Sequence, residues 1–282
     1  MKLSSVPRNI RLGLALLVVM LLFSSFAPML SSHSPWASES VRGATSSGEP
    51  IGPCSEFWFG TDRIFRDLFV RLAIGMRTSL LIAVGASFLS VAIGGIVGMI
   101  AGFFQGSAID FALMRLVDLG LSFPFLLLVM AVGASVERTN AWTIFWILGL
   151  TGWLSLARLA RSKTISLRNN EYIVASRSLG GRSLWIGVRH IFPELTSLFL
   201  LLFLLSTPQL MVADSVLSYL GAGISPPEPT LGYMLFEGQD LIGSYPWMFL
   251  FPLGALALCV LGFHLIGESL RGVLDEKKKG VA

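Results

Sequence analysis

The stretch from Thr78 to Phe104, "TSLLIAVGASFLSVAIGGIVGMIAGFF", contains no charged residue and is long enough to cross a bilayer as one α-helix. Four glycines, Gly94, Gly98, Gly102 and Gly106, recur at four-residue intervals along its second half and just beyond its end. Glycines in this register share one helix face and allow two helix backbones to approach closely in lipid. The stretch therefore predicts a membrane-spanning helix packed tightly against another helix, either of this chain or of another subunit.

The composition of the whole chain is typical of a membrane protein. Its 282 residues are 54% hydrophobic and 13% charged, with a mean hydropathy of +0.73, whereas soluble domains carry about 25% charged residues. The apolar segments lack the two-residue alternation of barrel strands, so we expect an all-α integral membrane protein. The net charge of +4 is interpreted as basic residues that flank helices on the cytoplasmic side, and not as a nucleic-acid surface.

Six spans are predicted, which places both termini on the same side of the membrane. The first could instead be a signal peptide, but it is longer than a typical signal-peptide core and no A-x-A pattern follows it, so we expect it to be retained. The predicted spans are Leu12–Leu30, Thr78–Phe104, Phe111–Gly133, Ala141–Leu159, Leu195–Leu220 and Pro246–Leu270.

The distribution of basic residues predicts the orientation. Seven basic residues between Arg158 and Arg189 stand against one acid, and the tail ends in Lys277, Lys278 and Lys279. The segment between the fifth and sixth spans holds acidic residues and no basic one. Because cytoplasmic loops are enriched in Lys and Arg, we expect the arginine-rich segment and both termini in the cytoplasm.

One group of arginines conflicts with this rule. Arg63, Arg66, Arg71 and Arg77 precede the second span, on the side that this topology places outside. Two aspartates are interleaved with them, and three of the arginines can lie along one helix face. We predict an amphipathic helix that lies on the outer membrane surface.

Motifs for catalysis, metal binding and nucleotide binding are missing from the sequence. There is no H-E-x-x-H, no cysteine pair at ligand spacing, no G-x-S-x-G and no Gly-Lys dipeptide of a Walker A loop. His33, His190 and His264 are isolated, and Cys54 and Cys259 lie in surroundings of different depth. We therefore predict no catalytic residue, no cofactor, no metal site and no ATP hydrolysis by this chain alone.

Few ionisable residues fall within the predicted spans. Asp110, Arg115 and Asp118 begin the third span, where Arg115 and Asp118 can pair at i, i+3. Glu268 lies near the end of the sixth span, where snorkelling or pairing can satisfy it. Asp214, towards the outer end of the fifth span, is either structural or faces a cavity. These residues offer little for a proton-coupled transporter.

Two prolines interrupt predicted spans. Pro124 lies in the third span and Pro208 in the fifth, and both are expected to kink their helices. Together with Asp214 they are the candidate pathway or gate residues.

A basic amphipathic segment, "EYIVASRSLGGRSLWIGVRHIFPE" (Glu171 to Glu194), separates two apolar spans. Asn170 can cap a helix that begins at Glu171, the Gly180-Gly181 pair breaks it, and Ser183 can cap a second helix that Pro193 ends or joins to the next span. The prediction is two short helices at an angle. They are either an ordinary pair on the membrane surface or a docking element for a cytoplasmic partner.

This segment resembles the EAA loop of permease subunits in binding-protein-dependent ABC importers, which reads E-Y-x-x-A-A-x-x-x-G and then H-x-L-P. Ser176 and Phe192 replace the usual Ala and Leu of that pattern. The matching residues are Glu171, Tyr172, Ala175, Gly180, His190 and Pro193.

Four further blocks resemble the dipeptide/oligopeptide/nickel branch of this family, and within it the second, C-type permease of the pair. Phe65 stands where that branch usually has glycine and Leu231 where it has tryptophan, so the contact with the binding protein or the outer gate is expected to differ in detail. The blocks are "GTDRIFRD" (60–67), "RLVDLGLSFPFLLL" (115–128), "DSVLSYLGAGISPPEPTLGYML" (214–235) and "FHLIGESLRGVLDE" (263–276).

The resemblance implies a type I ABC importer transmembrane domain in a bacterial or archaeal plasma membrane. It implies an N-terminal helix and loop (1–59), a five-helix permease core (60–276) with a coupling loop at about 160–194, and a basic tail (277–282). The implied partners are a second related permease subunit, two cytoplasmic ATPase subunits, an extracytoplasmic substrate-binding protein and membrane lipid. The residues implied to couple to the ATPase are Glu171, Tyr172, Ala175, Ser176, Leu179, Gly180, Gly181, His190 and Pro193.

The resemblance leaves the substrate open. Di- and oligopeptides are favoured over nickel and over other small solutes in this branch. A secondary transporter is a further alternative, which would need ion-pathway residues in the spans. A membrane-embedded enzyme would need a catalytic pair or metal ligands there, and the spans show neither.

Overall fold

The structure, a computed structural model, describes residues 7–136, 139–224 and 226–279, except for the side chains of residues 183–184 and 275–279. Within these ranges the chain folds into α-helices without a β-strand. The helices are α1 (Arg8–Leu30), α2 (Leu68–Phe103), α3 (Ala108–Leu121), α4 (Phe125–Gly133), α5 (Ala141–Thr151), α6 (Trp153–Arg168), α7 (Glu171–Ser178), α8 (Ser183–Ile186), α9 (Phe192–Tyr219), α10 (Leu231–Gly238) and α11 (Trp247–Lys279). A π-helical turn (Gly187–Ile191) joins α8 to α9, and a 3₁₀ turn (Gln239–Leu241) follows α10.

The predicted all-α membrane fold is confirmed. Five stretches of helix in the described chain are long and apolar enough to cross a membrane: α1, α2, α5 with α6, the π turn with α9, and α11. The helices α3 and α4 meet at an angle of 84° and add a sixth crossing if they form one bent span. The bend falls at Pro124, which immediately precedes α4, as the sequence predicted. Pro208, in contrast, lies inside α9, which continues past it as a helix.

The centre of the bundle is α2, which contacts α1, α5, α6, α9, α10 and α11. Its most extensive contact is with α6 and is made through three of the predicted glycines. A Cβ atom on Gly94, Gly98 or Gly102 would lie 2.7, 2.3 or 2.7 Å from a carbonyl oxygen of α6. The partner of the glycine face is therefore another helix of this chain.

Gly106 does not share that role, so its predicted part in helix packing is wrong. It follows α2 in the turn to α3, with φ +79°, and a Cβ atom there would meet nothing within 4 Å. The left-handed backbone conformation of the turn explains why residue 106 is a glycine.

Several serine side chains of α2 bond to neighbouring helices. Ser87 of α2 lies 2.5 Å, oxygen to oxygen, from Ser206 of α9, and Ser90 donates to the carbonyl oxygen of Gly149 in α5. These contacts satisfy hydroxyl groups that lipid could not. They fix the rotation of α2 relative to both neighbours.

The predicted Arg115–Asp118 pair is wrong. Asp118 instead pairs with Arg158 of α6 (2.6 Å), while the guanidinium of Arg115 lies 5.0 Å from the ring centre of Phe111. Asp110 accepts two hydrogen bonds from Arg161, at 2.7 and 2.8 Å. Sequence spacing showed only partners within one helix, whereas the packing of α3 on α6 supplies arginines about forty to fifty residues away.

The amphipathic helix predicted around Arg63, Arg66 and Arg71 is also wrong. Residues 61–67 form a turn, and α2 begins at Leu68, ten residues before the predicted span. Asp67 caps it by accepting from the backbone N–H of Phe69. Arg66 and Arg71 are buried, which excludes a location of these two side chains on a membrane surface.

A Gly98→Ala substitution tests the α2–α6 contact. The new methyl group would overlap the carbonyl oxygen of Ala157 and the Cβ of Ala160, at 2.3 and 2.6 Å. Overpacking of this kind costs about 1–3 kcal/mol, so the unfolding temperature in detergent should fall. Gly254→Ala in α11, where a Cβ meets nothing within 4 Å, is the matched control and should not lower it. Equal unfolding temperatures for the two variants would contradict the packing described here.

Candidate functional site

The short helix α7 is fixed to the bundle by one buried side chain. Ile173 is fully buried in a cluster with Leu167, Ile186, Ile191 and Leu195, to which α6, α8, the π turn and α9 contribute. Its neighbours Tyr172 and Val174 are about half exposed. One face of α7 is therefore held by the membrane helices, and the opposite face is open.

The end of α7 is a Schellman motif. Gly180 has φ +84°, its N–H donates to the carbonyl oxygen of Arg177, and the N–H of Gly181 donates to that of Ser176. The predicted break at Gly180-Gly181 is therefore observed. A Cβ atom on Gly181 would lie 2.8 Å from the Ser176 oxygen, so both glycines are required by local geometry.

The second short helix of the prediction is not a separate element. From Ser183 the chain runs through α8, the π turn and α9 without a loop, and Pro193 lies in the first turn of α9. Asn170 precedes α7 as predicted, but its side chain makes no capping hydrogen bond. The predicted cap by Ser183 involves a side chain that the structure does not describe.

Most of the sequence-predicted coupling residues lie on one surface around α7. Tyr172 and His190 approach with ring centres 6.1 Å apart, and Trp185 packs against His190 at 4.9 Å. Sequence reasoning missed Trp185, although an exposed tryptophan in a basic loop was a usable signal. Exposed members of the predicted set are Glu171, Tyr172, Ala175, Leu179, Gly180 and Pro193, and half-buried members are Ser176, Gly181 and His190.

A large cavity opens between α3–α4, α5–α6, α9 and α11. Its volume is about 940 Å³, and most of its lining is apolar. Pro208 contributes to the wall, as do Phe123 and Phe125 on either side of Pro124. Two of the three candidate pathway residues therefore lie at or beside the cavity.

Asp214, the third candidate, is fully buried and does not line this cavity. The hydroxyl of Ser79 in α2 donates to its Oδ2 (3.2 Å), and the N–H of Leu231, the first residue of α10, donates to the same hydroxyl (3.3 Å). Asp214 Oδ1 and Ser218 Oγ have no partner within the described chain. Asp214 thus connects α9, α2 and the start of α10.

The other end of α10 is held by a cluster of four charged side chains, Asp62, Arg66, Arg71 and Glu237. Arg66 contacts Asp62 (2.6 Å) and Glu237 (3.0 Å), and Arg71 contacts the same two carboxylates (3.2 and 3.4 Å). Two positive and two negative charges make the cluster neutral. Burial raises the pKa of Glu237, and the two arginines oppose that shift.

Comparison with known proteins identifies the family. Residues 91–280, more than half of the chain, match the family described as "Binding-protein-dependent transport system inner membrane component". The chain belongs to this family. It is an inner-membrane permease component of a transport system that, in general terms, also comprises a partner permease, an ATPase and a substrate-binding protein. The resemblance stated from the sequence motifs is confirmed.

Curated relatives of this permease cover nearly its whole length. The oligopeptide transport system permease protein OppC of Bacillus subtilis (strain 168) is 34% identical over 265 residues, 94% of this chain and 84% of that protein. The dipeptide transport system permease protein DppC of Alkalihalophilus pseudofirmus is 35% identical over 269 residues, 95% of this chain and 85% of that protein. OppC of Escherichia coli (strain K12) is 35% identical over 271 residues, which is 95% of this chain and 86% of that protein.

The charge cluster of the permease is tested by Glu237→Gln. This change leaves two buried guanidinium groups facing one carboxylate, and a buried charge pair broken on one side costs about 3–5 kcal/mol. The unfolding temperature in detergent should fall clearly. Glu228→Gln, at an exposed position between α9 and α10, is the matched control and should behave like the wild type. A wild-type unfolding temperature for Glu237→Gln would show that the cluster does not hold α10.

Proposed function

We propose that this permease forms half of the translocation pathway of an ATP-driven peptide importer and receives the movement of a cytoplasmic ATPase through α7. The observation that carries the proposal is the division of α7 into a buried anchor and an exposed face. Ile173 is 0% exposed, whereas the next residue, Val174, is 51% exposed. A helix anchored on one side and open on the other suits a groove on a second protein.

The exposed face combines features that favour such a groove. Tyr172, Val174 and Trp185 present apolar area, and Arg177 and Arg182 add positive charge at its edge. Because α7 is packed on the same cluster as α9, a displacement of α7 is transmitted to a membrane-spanning helix and is not absorbed by a loop. ATP binding on the partner would then bias the bundle between two conformations without contact between nucleotide and this chain.

The subunit arrangement of the proposal follows the family. A second related permease supplies the other half of the pathway, two ATPase subunits supply energy, and an extracytoplasmic binding protein delivers the substrate. Residues 60–276 form the permease core, 1–59 the N-terminal helix and loop, and 277–282 a basic tail. This chain hydrolyses no ATP itself.

Peptides are the proposed substrate because the compared relatives are named as oligopeptide and dipeptide permeases. Nickel or another small solute of the same branch is the alternative. A secondary transporter is less well supported: Asp110 and Asp118 are paired with arginines, and Asp214 is buried away from the cavity. Uptake that persists without ATPase subunits would favour the secondary transporter.

Gly180→Val tests the role of α7. Its φ of +84° costs a β-branched residue at least about 1–2 kcal/mol, so the end of α7 should rearrange. We expect less ATPase to co-purify with the membrane complex and ATP-dependent peptide uptake to fall about tenfold. Gly180→Asn is the matched control, because asparagine tolerates this backbone conformation. This variant should keep most of the ATPase association and most of the peptide uptake. Wild-type association and uptake in Gly180→Val would contradict the proposal.

The proposed orientation is testable with the native cysteines. Cys54 is exposed in the loop between α1 and α2, which we place outside, and Cys259 is buried. A membrane-impermeant maleimide added to spheroplasts should label Cys54 and should not label a Ser178→Cys residue introduced in α7 on a Cys54→Ser background. Inside-out vesicles should give the reverse result. Labelling of Ser178→Cys from outside would overturn the orientation.

A further inference from the structure

Four polar side chains of the large cavity have no partner within the described chain, and the three largest lie on α9 and α11. Gln209 of α9 and His264 and Glu268 of α11 line the cavity and are exposed. None of them makes a hydrogen bond or ion pair with another described residue. This distinguishes Glu268 from Asp110 and Asp118, which are paired with arginines.

Their depth makes the lack of partners informative. Glu268 is 21 residues beyond Trp247, the first residue of α11, or about 31 Å along a helix with a rise of ~1.5 Å per residue. His264 lies one turn nearer to Trp247. Gln209 lies in α9, ten residues before its end at Tyr219 and thus about 15 Å from it. The three groups therefore extend from mid-depth of the bundle towards the end that we propose is cytoplasmic.

Gln209 lies at mid-depth, where an amide that faces lipid has no hydrogen-bond partner. Glu268 lies near the end of its span, about one hydrocarbon thickness from Trp247, where its carboxylate needs water, a cation or a bound solute. Charged groups inside membranes face water-filled cavities, protein or a bound solute. The rest of the wall is apolar and includes Phe123, Phe125 and Leu205. The cavity volume of about 940 Å³ lies within the range of small-molecule sites, roughly 300–1,000 Å³.

We infer that this cavity holds the peptide during its release and that Glu268 binds the peptide's terminal ammonium group while Gln209 hydrogen-bonds its backbone. The inference rests on the proposed function. An ammonium group supplies the positive charge that Glu268 lacks among the described residues. A glutamine amide both donates and accepts, which matches the N–H and C=O of a peptide bond. The apolar wall accommodates varied side chains, so recognition is directed at groups that all peptides share.

The test uses the complete importer in proteoliposomes, with Cys54→Ser and a reporter Ser155→Cys. Ser155 is exposed and lines the same cavity. The rate at which a neutral methanethiosulfonate modifies the reporter is measured with trialanine and with N-acetyltrialanine. Trialanine should slow the modification, and N-acetyltrialanine should protect about tenfold less well, because it lacks the charged contact.

Glu268→Gln should reduce protection by trialanine about tenfold and leave that by N-acetyltrialanine unchanged. Glu268→Asp keeps the negative charge and should restore part of the difference in protection between trialanine and N-acetyltrialanine. Arg271→Gln, a charge change one turn away on α11 that does not line the cavity, is the matched control and should leave both peptides at wild-type protection.

Two other outcomes would overturn the inference. Equal effects of Glu268→Gln on both peptides would show that the carboxylate does not recognise the ammonium group. Loss of the second permease from purified Glu268→Gln complex would show that Glu268 pairs with that subunit.

A separate measurement tests the proposed function. It is the ATP-dependent uptake of trialanine by the importer that carries only the Cys54→Ser and Ser155→Cys changes. If this importer does not take up trialanine, the proposal that peptides are the substrate is wrong. If this importer takes up trialanine normally and Glu268→Gln leaves the protection by both peptides unchanged, only the proposed role of Glu268 is wrong.

Discussion

The close contact between α2 and α6 is the constraint on which the rest of the bundle depends. Lipid gives helices no hydrophobic reason to associate, so association depends on close packing and on polar contacts between helices. Gly94, Gly98 and Gly102 provide the packing by leaving no side chain between α2 and the backbone of α6. Every larger residue at Gly98 would have to displace a carbonyl oxygen.

Both ends of α2 are attached to short helices. Near its start, Arg71 contacts Glu237 of α10, and Ser79 connects α10 with Asp214. At its last residue, Phe103 accepts from Arg168, the last residue of α6, and packs against the cluster that holds Ile173 of α7. The short helices α10 and α7 are therefore attached to opposite ends of the same long helix.

Sequence patterns predicted the parts of this fold that depend on neighbours along the chain. Apolar runs located the spans, Pro124 located the bend, and the Gly180-Gly181 pair located the end of α7, because each signal acts within a few residues. The partners of Asp118, Arg66 and Arg71 could not be predicted in this way. Arg158, the partner of Asp118, is 40 residues away, and Glu237, the partner that Arg66 and Arg71 share with Asp62, is about 170 residues away. For the same reason the sequence placed Glu268 at a span end but could not show that it lines a cavity.

The loop-free connection from α8 through the π turn into α9 has a mechanical consequence. A continuous helix cannot take up a displacement of one end by changing its length, so a push at the α8 end would tilt it about a point at which it is held. Asp214, near the other end, is held by Ser79, and Pro208, between the two, lacks the backbone N–H of a helical hydrogen bond. Pro208 also lines the cavity. A bend of α9 at this missing hydrogen bond would change the width of the cavity without displacing the contacts between Asp214 and α10.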